Sequence, residues 1–330
     1  YRVGVTRYGS MDLPVLRGTA SMSGLGWGEL LAVDDEVIGV LTGHNGREIL
    51  AVTGDTVARF VRAATRQPYR GFAHRGFAWQ ALNSDALKAH FGQQPTDPGV
   101  LIRTLYVGGT GSDLLRSGDI LTRLGPYEID PEGDIDHPAY GAIRFTLALN
   151  EATGDTLAAE IIRDGERRTL ALQRSRFGED VYRVHPYEFD AALDYAVFGG
   201  LVVQELSLDY LKRWGADWDR EAPVRLLIEM RQSSLRRKGE PPERVLLINR
   251  VLPDPVNLGY EIGNAIVSEV NGRRVAGLTA FREAVRHPQG AFHVIRLLGG
   301  QGRSQLVFRA AEVAQADARI RQTYGIPTAQ

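Results

Sequence analysis

Cysteine is absent from this 330-residue chain and lysine is nearly so: only Lys88, Lys212 and Lys238 stand among 39 basic residues. Without cysteine there is no disulfide framework, no thiolate nucleophile and no cysteine-ligated zinc. The 39 basic residues face 40 acidic ones, for a formal net charge of −1. A surface that tracks phosphates needs a basic excess, so no nucleic-acid partner is expected. Also missing is any apolar run near the ~20 residues that span a bilayer, so no membrane span is expected. No charged-then-apolar leader opens the chain, and Tyr1 falls in mid-pattern, which predicts a piece of a longer product. Gly24-x-Gly26-x-Gly28 and Gly108-Gly109-Thr110-Gly111 are glycine-rich, yet neither opens a helix with a ribose-binding acid downstream. The segment from Glu132 to His137 lacks calcium-loop spacing and reads as a solvated turn. Neither a cofactor nor a metal is expected.

What is present is material for folding. With 43% hydrophobic and 24% charged residues, the chain can fill two or three separate cores. Residues 1–66 read as strands and glycine-rich turns: residues 1–6 alternate, residues 30–41 form an apolar run broken by Asp34-Asp35, and residues 49–52 follow. Thr53-Gly54-Asp55 offers caps for a helix carrying Val57, Phe60, Val61 and Ala64, and Gln67-Pro68 predicts a boundary. Next come a strand at Phe77-Ala78-Trp79, a Ser84-capped helix over 85–90, and strands at Gly99 and Ile120. A helix over 140–149 and a hairpin turning at Asp164-Gly165 complete this unit. Residues 179–330 repeat that order with larger insertions. Strands fall at Gly200, 244–251, 265–270, 292–298 and 304–308, with an Asn271-Gly272 turn and helices over 206–214, 279–285 and 310–320. The polar segment 229–243 reads as a solvated loop.

The repeated order is that of a PDZ domain, and short motifs carry it. Arg75-Gly76-Phe77-Ala78, Gly99-Val100, Gly118-Asp119-Ile120-Leu121, Gly154-Asp155 and Arg163-Asp164-Gly165 resemble the first PDZ domain of the HtrA/Deg serine proteases. Gly200-Leu201-Val202, Ala222-Pro223-Val224, Val251-Leu252, Asn257-Leu258-Gly259-Tyr260-Glu261, Asn271-Gly272 and Tyr324-Gly325-Ile326-Pro327 resemble the divergent second PDZ domain of plant-type Deg proteases and their bacterial relatives. The resemblance implies a fold that is mainly β with α (α+β). It implies the closing part of a trypsin-like β-barrel over 1–66, a first PDZ domain over 67–178 and a divergent second over 179–330. It further implies a homo-oligomer in the bacterial periplasm or cell envelope.

A PDZ domain adds an extended peptide to an exposed sheet edge and holds its terminal carboxylate in a nest of backbone N–H groups. The resemblance puts that nest at His74-Arg75-Gly76-Phe77. Gly76 would turn the amides inward, Phe77 and Ala78 would line the side-chain pocket, and Arg75 would add charge. Leu87 and Phe91, four apart on the following helix, are expected either as the groove's other wall or as core. The matching loop of the second domain is Phe198-Gly199-Gly200-Leu201, where the insertion over 215–243 is expected to cover the groove and leave an architectural role. The partners implied are peptides, unfolded protein segments or an envelope protein.

The segment from Gly24 to Gly39 is similar to the active-site loop of the same family, G-N-S-G-G-P followed by two apolar residues, a polar turn and V-I-G. Aligned without gaps on Val37-Ile38-Gly39, the nucleophile's place falls on Gly26, which has no side chain to attack a carbonyl. Trp27 stands where the family has a glycine that aims oxyanion-hole amides. The family's His and Asp lie N-terminal to everything present, and His44 follows the loop in the wrong order. A pseudoprotease that binds peptides or proteins is the first expectation. A three-residue shift would instead offer Ser23, or more remotely Ser21, as nucleophile of an active endopeptidase with His and Asp upstream of Tyr1. A purely structural component is the third reading.

Overall fold

The computed structural model describes residues 2–8, 11–19, 26–45, 47–66, 71–152, 154–186, 192–232, 234–298 and 305–327. The chain divides into two compact units, Tyr1–Gly178 and Glu179–Gln330. The expected class, mainly β with helices, is the one observed. Among the described residues no helix is long and apolar enough to cross a membrane.

The first unit opens with an antiparallel sheet of β1 (Arg2–Tyr8), β2 (Met11–Thr19), β3 (Leu30–Val33), β4 (Glu36–Asn45) and β5 (Glu48–Thr53). Its order is β1-β2-β5-β4-β3, an open sheet. The apolar run over 30–41 becomes the β3–β4 hairpin. Its turn residues Asp34 and Asp35 have φ of 49° and 65°, the handedness a two-residue hairpin needs. β2 escapes sequence reading because Pro14 interrupts it, although Leu13, Val15 and Leu16 are buried. Thr53 caps α1 (Gly54–Ala64), its hydroxyl accepting the Thr56 N–H at 3.3 Å.

A second sheet follows in the same unit. Its elements are β6 (Phe77–Gln80), α2 (Asp85–His90), β7 (Val100–Leu105), β8 (Ile120–Leu124) and β9 (Tyr127–Glu128). Then come a small ribbon of β10 (Asp134–His137) and β11 (Gly141–Arg144), a helical turn Phe145–Leu147 running into α3 (Ala148–Glu151), β12 (Thr156–Arg163) and β13 (Glu166–Gln173). The order is β13-β12-β8-β7-β6, with β9 on β8. The helix expected over 140–149 is shorter. Tyr140 stacks on His137 at 4.5 Å and Gly141 turns the chain at φ 68°, so a ribbon strand comes first and helical backbone starts at Phe145. Consecutive residues are buried along β7 and β8, as a sheet covered on both faces requires. Phe77, Ile102, Leu121, Phe145 and Ile161 share one core, while Leu101, Ile120 and Ile162 share another. Asp119, from the Gly-Asp-Ile-Leu motif, holds Arg163 through two 2.7 Å hydrogen bonds, with side chains only 1% and 9% exposed.

The second unit runs β14 (Tyr195–Phe198), β15 (Leu201–Glu205), α4 (Leu208–Leu211), α5 (Trp218–Glu221), α6 (Val224–Gln232), β16 (Leu246–Val251) and β17 (Ala265–Val270). It continues through β18 (Arg273–Arg274), α7 (Leu278–Ala284), β19 (Phe292–Leu297), β20 (Gln305–Arg309) and α8 (Ala310–Tyr324). The sheet order is β14-β15-β16-β17-β19-β20, with β18 on β17. From β15 onward this matches the β6-to-β13 sheet strand for strand, with α7 in the place of α3 and β14 as an additional edge.

The insertion departs from its expected form. The segment 229–243 is not loop throughout, because α6 extends to Gln232. Ala222, Leu226 and Leu227 pack with Leu206, Leu211, Leu247 and Ile266 as a separate core on the sheet face opposite Ile248 and Val267. The insertion therefore covers a face of the sheet.

Candidate peptide-binding grooves

In the first unit β6 ends its sheet among the described residues, and the loop before it is fixed from several directions. The Gly76 N–H donates to Thr110 O and the Tyr106 N–H to Gly76 O, each at 2.9 Å. A side chain at residue 76 would put its Cβ 2.8 Å from Gly108 O, so only glycine allows this approach. The glycines at 108, 109 and 111 thus serve to pack the loop. His74 is buried against the Phe177 ring, 4.9 Å between centroids. Burial first, and Arg176 second, lower its pKa to about 4, so it is neutral near pH 7.

The wall facing β6 is the helical segment Phe145–Glu151. Asn150 staples it to the loop: Oδ1 accepts the Ala73 N–H at 2.8 Å and Nδ2 donates to Ala73 O at 3.3 Å. Between strand and helix lies a cavity of about 430 Å³ lined by Asp12, Arg75, Ala78, Trp79, Tyr106, Arg144 and Thr146. Arg75 and Ala78 therefore reach this cavity, while Phe77 is fully buried in the core beneath it. Leu87 and Phe91 are placed elsewhere. They pack on Leu82, Leu101, Ile120 and Ile162, on the far side of the sheet, and do not face Arg75. Asn150 and Thr146 were missed because Phe145, Leu147, Ala148 and Leu149 are all buried, so their helix shows no amphipathic stripe.

The second loop has a different setting. Gly199 and Gly200, with φ of 56° and 84°, form the two-residue turn that folds β14 back onto β15, pairing Phe198 with Leu201 and Tyr195 with Gln204. The edge of β15 is thereby occupied by the chain's own strand, not by the insertion. Asp317 Oδ1 accepts the Gly199 N–H at 2.7 Å and Asn257 Nδ2 donates to Gly199 O at 2.9 Å. On α7, Arg282 grips the Asp194 carboxylate with both Nη atoms, one contact being 3.0 Å, and Nη2 also donates to Tyr195 O at 3.0 Å. Phe198 is buried edge-on to Phe281 and Phe308. Leu201 lies fully in the core.

At the place aligned with a nucleophile, Gly26 is half-buried, and a Cβ there would lie 3.4 Å from Glu29 Oε1. Trp27 is 79% exposed, and Gly28 has φ 86°. The Gly28 N–H donates to Leu41 O, and the Leu41 N–H to Glu29 O, both at 2.8 Å, tying the segment to β4. Ser21, Ser23, Gly24, Leu25, the Gln67-Pro68 boundary and the His44 side chain lie outside the described residues.

A family model for the PDZ domain matches residues 184–330. The second half of the chain is therefore a PDZ domain. Two curated relatives extend the likeness upstream. Protease Do-like 2, chloroplastic, of Arabidopsis thaliana is 28% identical over 209 residues, covering 62% of this chain and 32% of the relative. Putative protease Do-like 3, mitochondrial, of the same plant is 22% identical over 213 residues, covering 63% and 34%. Among solved structures, an HtrA-type protease with a tripeptide superposes with a TM-score of 0.30 and 16% identity, covering 44% of this chain and 47% of that one. The chain spans about a third of the length of the curated relatives. The chain is similar to the HtrA/Deg proteases and contains a match to the PDZ domain.

Proposed function

We propose that the chain is a non-catalytic HtrA/Deg relative that binds peptides or unfolded protein segments through the groove beside β6, as a scaffold, chaperone-like or regulatory subunit. The observation that carries the reading is the contrast between the two matching edges. β15 is paired with β14, whereas among the described residues β6 ends its sheet, beside a cavity of about 430 Å³. Strand addition at β6 supplies main-chain hydrogen bonds and register, while Ala78, Trp79 and Thr146 select side chains. The non-catalytic part is supported by Gly26, which offers no oxygen where the family motif carries its nucleophile. The proposal extends to a homo-oligomer in the bacterial periplasm or cell envelope, with an envelope protein as the alternative partner.

Two measurements test it. A fluorophosphonate probe is expected to leave the full chain unlabelled, and covalent labelling at Ser21 or Ser23 would convert the reading to an active endopeptidase. An array of decapeptides with free C termini is expected to bind the chain. Binding by none of them would support the purely structural reading.

A further inference from the structure

The second unit has an open edge of its own. Pairing with β14 closes β15, and among the described residues β14 then ends the sheet. Phe198 and Leu201 flank the two-residue turn and so form a hydrogen-bonded pair, from which bonding alternates along the ladder. Ala196 therefore bonds Val203, while Tyr195 and Val197 direct their backbone groups away from β15. The positions on either side of Val197 are plugged from within the unit. Arg282 Nη2 donates to Tyr195 O, and the Asp194 carboxylate accepts the Tyr195 N–H. Asp317 accepts the Gly199 N–H, and Asn257 donates to Gly199 O. Val197, between them, is buried, and its N–H and C=O have no hydrogen-bond partner among the described residues. Unpaired backbone groups on a buried residue are rare and costly.

Beside this open rung lies a cavity of about 620 Å³, within the roughly 300–1,000 Å³ of small-ligand sites. Phe281 and Val285 of α7 line it, as do Ile326 and Pro327, which follow α8. Phe198 packs on Phe281, and Val197 packs with Ala316 and Ile320 of α8, so β14 has a helix on each face. The lining carries three guanidiniums, Arg282, Arg286 and Arg321, against two carboxylates, Asp194 and Asp317. The Arg286 side chain is 73% exposed, and its 3.1 Å contact with Glu283 is a surface pair worth little.

We propose that this cavity binds an extended, apolar and acidic segment of another protein, held by a single backbone rung on Val197. One residue of the segment accepts the Val197 N–H and donates to Val197 O. Its neighbours send alternate side chains towards α7 and towards Ile326 and Pro327. The segment is internal to its own chain, because Asp317 already holds the Gly199 N–H and the turn does not offer that amide to a terminal carboxylate. Acidic side chains match Arg286 at the rim. The site is independent of the groove beside β6 and stands whether or not that groove takes peptides.

The test uses the full chain and an array of decapeptides, acetylated and amidated at their ends, valine-rich at the centre and flanked by glutamate or by lysine. Residue-resolved amide exchange is followed at saturating peptide. Val197 is expected to slow about tenfold, with Ala196 and Phe198, already bonded to β15, unchanged. Glutamate-flanked peptides are expected to bind about threefold tighter than lysine-flanked ones at low salt, and Arg286→Glu to reverse that order. N-methylation of the tightest peptide, one position at a time, should weaken binding about fivefold at a single position, the residue facing Val197. Slowed exchange across the whole of β14, or loss at several N-methyl positions, would overturn the single rung. Protection of Val197 that grows with chain concentration in the absence of peptide would give the edge to a second copy and overturn the proposal. An array in which no member slows Val197 would overturn it too. Exchange over residues 77–80 in the same samples reports the groove beside β6, so the two sites succeed or fail separately.

Discussion

At the residue scale, the motifs that repeat across many folds have specific duties in this one. Asn257, the first residue of the Asn-Leu-Gly-Tyr-Glu segment, donates from Nδ2 to both Gly199 O and Leu252 O, at 2.9 and 2.8 Å. Tyr260 of the same segment clamps β20, its hydroxyl donating to Val307 O at 2.8 Å. Gly200 leaves the room Asn257 needs. A Cβ at that position would fall 2.2 Å from Asn257 Nδ2 and 2.5 Å from Leu252 O, on a backbone with φ 84°. Gly200→Ala should therefore displace Asn257 and leave a buried carbonyl unpaired, costing at least about 2 kcal/mol. Gly215 is the control, with nearly the same φ, 86°, and nothing within 4 Å of an added Cβ. Gly215→Ala should cost only its backbone strain, about 1–3 kcal/mol, because φ 86° with ψ −160° is a conformation open to little but glycine. Urea unfolding of both variants checks this, and equal losses would remove the role assigned to Asn257.

At the element scale, what was legible in the sequence divides along physical lines. Hairpins were readable because Asp164-Gly165 and Asn271-Gly272 carry the positive φ that their turns demand, 54° and 79°, 51° and 75°. The wall of the first groove was not. Leu87 and Phe91 showed helical spacing, yet that spacing marks any helix with one buried face and does not say which sheet face it covers. β14 was missed because the repeat template begins at β15, and a four-residue strand without a counterpart leaves little pattern to find. Its hold depends on Arg282, which keeps the Asp194 carboxyl below its usual range by direct hydrogen bonding. Arg282→Ala should loosen this strand locally. Amide exchange over residues 195–198 is expected to rise about tenfold, with that of β16 and β17 unchanged. A uniform rise across the sheet would mean that β14 is part of the global fold and not a separable edge.

At the scale of the whole chain, the two compact units differ in the buried groups that titrate below neutrality. In the first, His74 has its pKa lowered from 6.5 to about 4 by burial and by Arg176. The unfolded chain then binds a proton that the folded unit refuses between those values. Stability is full above pH 6.5 and is lost as pH falls towards 4. Going from pH 7 to 5 should cost the first unit about 2 kcal/mol, or about 4–8 °C in midpoint for a unit of this size. The second unit contains opposing groups. Burial raises the Asp317 pKa from 3.8 to about 6, so its carboxylate penalises folding as pH rises through 6, and acidification relieves that penalty. Burial also lowers the pKa of His293, which acts in the other direction. Scanning calorimetry at pH 7 and 5 should thus show two transitions, the first moving down by several degrees and the second moving less. His74→Phe, which keeps an aromatic ring against Phe177, should flatten the first transition's pH response. Its persistence in that variant would show that the acid sensitivity of the first unit arises from groups other than His74.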